Sequence, residues 1–213
     1  MASLPYMDEQ PTRATNVRGR RANAAILESA TQLFAERGYM GTSIADVAVA
    51  SGVAKPSVLY HYPDKDSLWK AVVTALWTEI DAFYDAHFPP GQPASRDRLI
   101  LLVDLFIKAS LRWPAYVRIP FIEGASPSWR SDWLVDQFFG RHVLAVDRLI
   151  RALQAKGDIG PGDPAHFQAL LSSSVNVFLA QGVMWDRAYG RPLDDEASLR
   201  AAVGLALSRV FIK

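Results

Sequence analysis

The sequence predicts an all-α protein of about nine helices, and three observations support that prediction. Apolar residues recur at helical spacing along most of the 213-residue chain, as at Ile26, Ala30 and Phe34. No stretch of four to eight residues alternates convincingly between apolar and polar, so no strand is predicted. Stretches rich in proline and glycine, such as FPPGQP and GDIGPGDP, separate the helical segments.

Composition limits the classes of protein to which the chain can belong. Half of the residues are apolar and the formal net charge is only +1, so any nucleic acid must bind to a local patch. The absence of cysteine excludes disulfides and thiolate metal sites. No apolar run approaches the ~20 residues that span a bilayer, and the N-terminus lacks the apolar core of a signal peptide. We therefore expect a cytoplasmic protein, without membrane contact, whose residues 1–17 form a disordered tail.

The segment after this tail predicts two helices in succession. The first begins after the basic stretch RGRR and ends near Gly38, a residue suited to the left-handed position that closes helices. The second is short, because Ser43 and Asp46 have the spacing of a capping box at its start and Gly52 ends it after about two turns.

The stretch GVAKPSVLYHYPDK, from Gly52 to Lys65, predicts a third helix over about 55–61. Pro56 is compatible with that helix because it falls in the first turn, where backbone N–H groups have no intrahelical acceptor. Pro63 ends the helix, since the residue before a proline is biased away from helical angles. Two short helices joined by a tight turn have the layout of a helix-turn-helix, whose second helix can enter the major groove of DNA.

The faces of the third helix predict which side chains are available to DNA. Val53, Val58 and Tyr62 are predicted to face the first two helices. The side chains left on the outer face suit phosphates, base edges and thymine methyl groups. These outward residues are Lys55, Ser57, Leu59, Tyr60 and His61. A plain helical corner of a larger fold is the alternative interpretation of this pattern.

Three motifs between Arg20 and Val73 are more specific than the general layout: FAERGYMGTSI, IADVAVASGV and YHYPDKDSL. With them, about fifty contiguous residues resemble the N-terminal domain of TetR-family transcriptional repressors. The resemblance implies binding to a double-stranded operator with an inverted repeat. It also implies a set of recognition-helix and phosphate-contact positions. These are Arg21, Thr42, Ser43, Lys55, Pro56, Ser57, Leu59, Tyr60, His61 and Lys65.

Two positions depart from the pattern of that family. Members commonly carry Ser or Thr where this chain has Ala54, and the substitution weakens the cap of the third helix by about 1 kcal/mol. Members also commonly carry Tyr where this chain has Leu59, so that an apolar contact replaces a phenol on the outer face.

Residues 66–213 predict a second, larger helical domain that follows a DNA-binding domain of residues 18–65. After a long helix that ends before FPPGQP, further helices are predicted at roughly 95–112, 114–124, 130–156, 164–188 and 195–211. The resemblance implies that this domain binds a small-molecule effector and forms a homodimer through its last two helices. Small residues on 164–188 and an apolar stripe on 195–211 agree with close helix packing.

Aromatic residues are dense between 77 and 139, which predicts either ordinary core packing or the wall of a pocket for an apolar or aromatic effector. Core packing is the more frequent outcome for any single aromatic residue. The residues predicted to line an effector pocket are Trp77, Tyr116, Phe121, Trp133, Phe138, Asn176 and Gln181, with Glu123 as a further possible polar anchor. An effector there would tilt the long helix and release the DNA.

The sequence contains no pattern typical of an enzyme or a metal site. Its histidines lack metal-ligating partners at i, i+4 spacing, and no G-x-S-x-G nucleophile elbow occurs. We therefore expect no catalytic residue, no cofactor and no metal. One alternative is an all-α enzyme or ligand-binding protein with its site in the C-terminal helical core. Another is a helical adaptor, which leaves the outer face of the third helix unexplained.

Overall fold

The computed structural model describes residues 13–211, and the prediction of an all-α fold is confirmed within that range. The N-terminal helices are α1 (Arg13–Arg37), α2 (Ile44–Ser51), α3 (Lys55–His61) and α4 (Lys65–His87). The C-terminal helices are α5 (Arg96–Arg112), α6 (Ala115–Glu123), α7 (Trp129–Leu134), α8 (Gly140–Ala155), α9 (Pro164–Tyr189) and α10 (Glu196–Val210). A π-helical segment, Val135–Phe139, joins α7 to α8 without a break, so the described residues form nine continuous helical stretches.

The turns of the helix-turn-helix form as the sequence predicts. The Ser43 hydroxyl accepts from the Asp46 N–H at 3.1 Å, and the Asp46 carboxylate accepts from the Ser43 N–H at 2.8 Å. Gly38 and Gly52 have φ values of 67° and 65°, the left-handed backbone that closes α1 and α2. Ala54 gives α3 no side-chain cap, as expected from its departure from the family pattern.

The first helix begins earlier than predicted. The sequence predicts a start after RGRR, whereas α1 begins at Arg13. The prediction of a disordered tail is therefore wrong for residues 13–17, and residues 1–12 lie outside the described residues. No proline follows Pro11 in this stretch, so nothing in the chain stops the helix from extending beyond its packed face.

The first of two hydrophobic cores holds α1, α2 and α3 against α4. Val58 of α3 is fully buried in this core, and Val53 and Tyr62 pack on the same cluster, as predicted. Trp69 and Trp77 of α4 belong to it as well. The core therefore continues across the boundary predicted between residues 65 and 66, and the division of the chain into domains stays a prediction.

The second core lies in the C-terminal helices, where α9 packs against α5, α6, α8 and α10. Leu99, Leu153, Val175 and Leu199 are among its buried residues. By length and composition α9 is apolar enough to cross a membrane. Polar residues such as Gln168 and Asn176 interrupt its apolar stretches, so α9 contains no apolar run of ~20 residues. Leu171, Val175 and Leu179 of α9 are buried in the second core, whereas Val183 and Met184 are exposed.

Candidate nucleic-acid interface and effector cavity

Helix α3 is attached to the molecule through Val58 and displays most of its other side chains. Tyr60 is 86% exposed and Leu59 is 38% exposed, and neither is part of the buried core. The Tyr60 ring meets the His61 ring edge-on, with their centroids 5.6 Å apart. The other predicted residues of this helix are exposed or half-buried: Lys55, Pro56, Ser57 and His61. One short helix therefore presents six of the predicted DNA-contacting residues.

Two predicted backbone contacts lie next to α3, and a third is turned inward. Arg21 and Ser43 are exposed, although the Ser43 hydroxyl is held 2.6 Å from the Asp46 carboxylate by the capping box. Thr42 is only 2% exposed, and its hydroxyl lies 2.9 Å from the Gly38 carbonyl oxygen. The Thr42 hydroxyl therefore closes the turn between α1 and α2, and contact of Thr42 with the DNA backbone stays a prediction.

Lys65 is half-buried and already has a partner in the protein. Its ammonium group donates to the Tyr39 carbonyl oxygen at 3.0 Å and lies 4.0 Å from the centre of the Tyr39 ring. An ammonium group has three donors, so a phosphate can still bind on the open side. The position of Lys65 consequently depends on the position of Tyr39.

The C-terminal helices enclose a cavity of about 800 Å³, a volume typical of small-molecule sites. Four predicted pocket residues line it, namely Trp77, Tyr116, Phe121 and Asn176. The Tyr116 ring stands edge-on to Trp77, with the centroids 5.7 Å apart. On its other side Tyr116 meets Phe106 at 5.9 Å, so that aromatic faces form one wall of the cavity.

Three other predicted pocket residues do not line the cavity. Trp133 packs against Trp69 with ring centroids 5.5 Å apart, and Phe138 packs behind Trp77 at the same separation. Gln181 lies at a kink of α9, where its φ of −120° and ψ of 21° are not helical. Glu123 is also no anchor, because it is buried against Arg130 at the end of α6.

Sequence reasoning missed the polar groups of the cavity wall. His142 Nε2 lies 3.0 Å from a carboxylate oxygen of Asp81, and His142 Nδ1 lies 2.9 Å from the Phe138 carbonyl oxygen. Both partners are hydrogen-bond acceptors, and together they fix the orientation of the His142 ring. Arg141 contacts the same Asp81 carboxylate and forms an ion pair with it. One face of α4 carries Trp77, Asp81 and Tyr84, all of which line the cavity. Their helical spacing in the sequence was the signal that could have identified Asp81 and Tyr84 as cavity residues.

The side chains of Asp85, Arg98 and Arg148 also line the cavity, together with two phenols and an amide. Burial, together with the neighbouring Tyr116 phenol, raises the pKa of Tyr84. Burial also raises the pKa of Tyr116, so both phenols are neutral at physiological pH. The side-chain oxygen of Asn176 is buried, and no donor among the described residues binds it. The cavity therefore offers aromatic surface, two phenols, one unpaired acceptor and the side chains of Asp85, Arg98 and Arg148.

A displayed α3 that is anchored against α1, α2 and α4 has the arrangement of a helix-turn-helix DNA-binding unit. A profile of the family described as bacterial regulatory proteins, tetR family, matches residues 26–72. Residues 26–72 are therefore similar to the DNA-binding domain of that family, as the sequence analysis expected.

Relatives and solved structures extend this similarity over most of the chain. The HTH-type transcriptional regulator RutR of Escherichia coli is 26% identical over 207 residues, which cover 92% of this chain and 93% of RutR. The HTH-type transcriptional repressor Rv3405c of Mycobacterium tuberculosis is 44% identical over 66 residues, 31% of this chain and 35% of Rv3405c. A tetR-family regulatory protein from Rhodococcus RHA1 has the same fold, with a TM-score of 0.69 at 23% identity, covering 90% of this chain and 98% of that protein. RutR is named a transcriptional regulator and Rv3405c a transcriptional repressor.

Proposed function

We propose that the protein is a cytoplasmic repressor that binds an inverted-repeat operator as a homodimer. It releases the operator when a small, mostly apolar effector fills the C-terminal cavity. One observation carries this proposal: α4 begins four residues after the end of α3, and the same helix lines the cavity with Trp77, Asp81 and Tyr84. Displacing α4 from within the cavity therefore displaces α3 as well.

On the DNA side, α3 enters the major groove with Tyr60 toward the base edges. Tyr60 is available for this role because its side chain has no part in the core. Lys55, at the start of α3, is exposed and suits a phosphate oxygen. The full set of proposed contacts is Arg21, Thr42, Ser43, Lys55, Pro56, Ser57, Leu59, Tyr60, His61 and Lys65.

The second copy binds across α9 and α10. These helices leave large apolar side chains in solvent, including Val183, Met184 and Leu205, which are 86%, 68% and 63% exposed. Apolar surface of this kind marks an interaction site. A second copy is the partner that fits, because an inverted repeat needs two α3 helices related by a two-fold axis.

The effector is a mostly apolar molecule that carries a hydrogen-bond donor. The aromatic wall around Tyr116 provides the apolar contact, and the unpaired oxygen of Asn176 accepts from a hydroxyl or amide of the ligand. The Asp81 carboxylate already contacts Arg141 and His142, so it is not the anchor of the ligand.

Release requires the effector to prefer the arrangement that cannot bind DNA, since equal affinity for both arrangements shifts nothing. An ordinary coupling of about 1–3 kcal/mol weakens operator binding about five- to 150-fold. Operator DNA must then weaken effector binding by the same factor.

The proposal is tested by fluorescence anisotropy on two duplexes at one salt concentration. One duplex carries the DNA that flanks the gene of this protein, and the control is a scrambled duplex of the same composition. We expect the flanking DNA to bind at least ~10³-fold more tightly than the control. Equal affinities for the two duplexes would overturn the operator proposal.

A further inference from the structure

Tyr39, in the turn between α1 and α2, is held by residues from three other helices. Its N–H donates to Glu123 Oε1 on α6 at 3.2 Å, and its carbonyl oxygen accepts from Lys65 on α4 at 3.0 Å. Its hydroxyl donates to Asp66. The guanidinium of Arg130 on α7 lies 4.3 Å from the ring centre. We call these five residues the Tyr39 clamp.

Glu123 is the central charge of the clamp. It is 5% exposed, and among residues 17–211 it is the single charged residue that is buried. Arg130 Nε donates to its second oxygen at 2.6 Å, so that both carboxylate oxygens are occupied. A buried carboxylate is costly unless it is paired and hydrogen-bonded, and these two bonds define where it can lie.

The clamp is attached directly to the cavity through α6. Tyr116, Val117 and Phe121 of α6 line the cavity, and Glu123 follows two residues later at the end of the same short helix. The turn that contains Tyr39 rests on this end of α6. A Cβ atom added at Gly38 would lie only 2.9 Å from the Ile122 side chain. A displacement of α6 therefore reaches the turn without passing through α4.

On its other side the clamp ends at Lys65, a proposed phosphate contact. The ammonium group of Lys65 binds both the carbonyl oxygen and the ring of Tyr39. Wherever Tyr39 moves, the ammonium group moves with it or loses two favourable contacts.

We propose that Glu123 is a positioning residue for DNA binding: by holding Tyr39 it fixes Lys65 at a DNA phosphate and ties that contact to the cavity helix α6. This inference rests on the proposed DNA contact of Lys65. The sequence analysis expected the effector signal to travel along α4, whereas the clamp adds a second connection through α6.

The test measures how binding to a random-sequence duplex depends on salt concentration, so it needs neither the operator nor the effector. Lys65→Ala removes one phosphate contact and is expected to lower the slope of log K against log salt by about 0.9 per bound subunit. Glu123→Gln is expected to lower the slope by the same amount, although residue 123 touches no DNA. The double variant is expected to lose no more than either single variant, because both act on one contact.

Controls separate positioning from general destabilisation. Asp147→Asn removes an exposed carboxylate that pairs with Arg151 on α8, and it is expected to leave the slope unchanged. If Glu123→Gln does not fold, Glu123→Leu combined with Arg130→Met replaces the buried pair with apolar side chains of similar size. A lowered melting temperature with an unchanged slope, or additive losses in the double variant, would overturn the inference. If wild type binds flanking and scrambled DNA equally, the operator proposal fails while the slope test still stands.

Discussion

The hydroxyl of Tyr62 donates a 2.7 Å hydrogen bond to Oδ1 of Asn23, and this bond ties the end of α3 to the middle of α1. Val58 anchors the centre of α3 in the core, and Tyr62 anchors its C-terminal end. The direction in which Tyr60 points is consequently set by two attachments on either side of it.

Replacing Tyr62 with phenylalanine is expected to destabilise the protein by about 1 kcal/mol, because the half-buried Asn23 loses its donor while the ring is retained. Urea unfolding followed by circular dichroism measures the change. Tyr60→Phe is the matched control, since the exposed Tyr60 hydroxyl supports no part of the fold. Equal stability of the two variants would mean that the bond to Asn23 contributes nothing.

The sequence predicted those features of the fold that local chemistry determines. The capping box of α2, the left-handed glycines and the start of α3 follow from residues within a few positions of one another. The π-helical segment Val135–Phe139 and the kink at Gln181 were missed, since neither changes the helical spacing of apolar residues.

The sequence predicted only part of the candidate site, because the neighbours of each side chain depend on the whole fold. A motif marks Thr42 as belonging to the DNA-binding domain, but only the fold turns its hydroxyl inward toward Gly38. Spacing places Trp77 and Trp133 on apolar faces, yet it does not determine which face meets the cavity. Trp133 fills the first core and Trp77 borders both the core and the cavity. The partners that decide this outcome lie on other helices.

Asn176→Leu tests whether the unpaired oxygen in the cavity is reserved for a ligand. Because no described residue donates to that oxygen, we expect the empty protein to be as stable as wild type, or more stable by about 1 kcal/mol. Thermal unfolding of the ligand-free protein gives the comparison. A clear loss of stability would show that Asn176 has a structural role and would remove it from the effector site.

Leu205→Asp is expected to convert the dimer to a monomer, because it places a charge in the proposed interface on α10. Leu205 is 63% exposed in the single chain, so the substitution does not disturb the core. Leu144→Asp on α8 is the control, since Leu144 is 59% exposed but lies outside α9 and α10. Light scattering of both variants measures the mass. A dimeric Leu205→Asp variant would contradict the proposed interface.

The Tyr39 clamp also predicts a loss of stability at high pH. Burial and the hydrogen bond to Asp66 raise the pKa of Tyr39 to about 12 from a reference value of 10.0. The Tyr39 hydroxyl therefore stays protonated to a higher pH in the folded state than in the unfolded state. The contribution of this hydroxyl to the free energy of unfolding is complete below pH ~10 and disappears as the pH rises through ~12.

Tyr39→Phe removes this titration and is expected to make the free energy of unfolding fall less steeply above pH ~10 than in wild type. Urea unfolding at a series of alkaline pH values measures the slope, with Tyr60→Phe as the control for an exposed phenol. Identical slopes for wild type and Tyr39→Phe would show that the hydroxyl is not held by Asp66.

The central claim is that α3 reads base pairs within an inverted repeat, and selection from a random-sequence duplex library tests it most directly. Wild type is expected to enrich an inverted repeat whose half-site centres lie ~34 Å apart or a multiple of that distance. Tyr60→Ala, which leaves the core intact, is expected to lose base preference at one position in each half-site, at a cost of ~1–3 kcal/mol per contact. If wild type enriches no repeat, or if Tyr60→Ala enriches the same repeat with undiminished preference at every position, then Tyr60 on α3 does not read the bases.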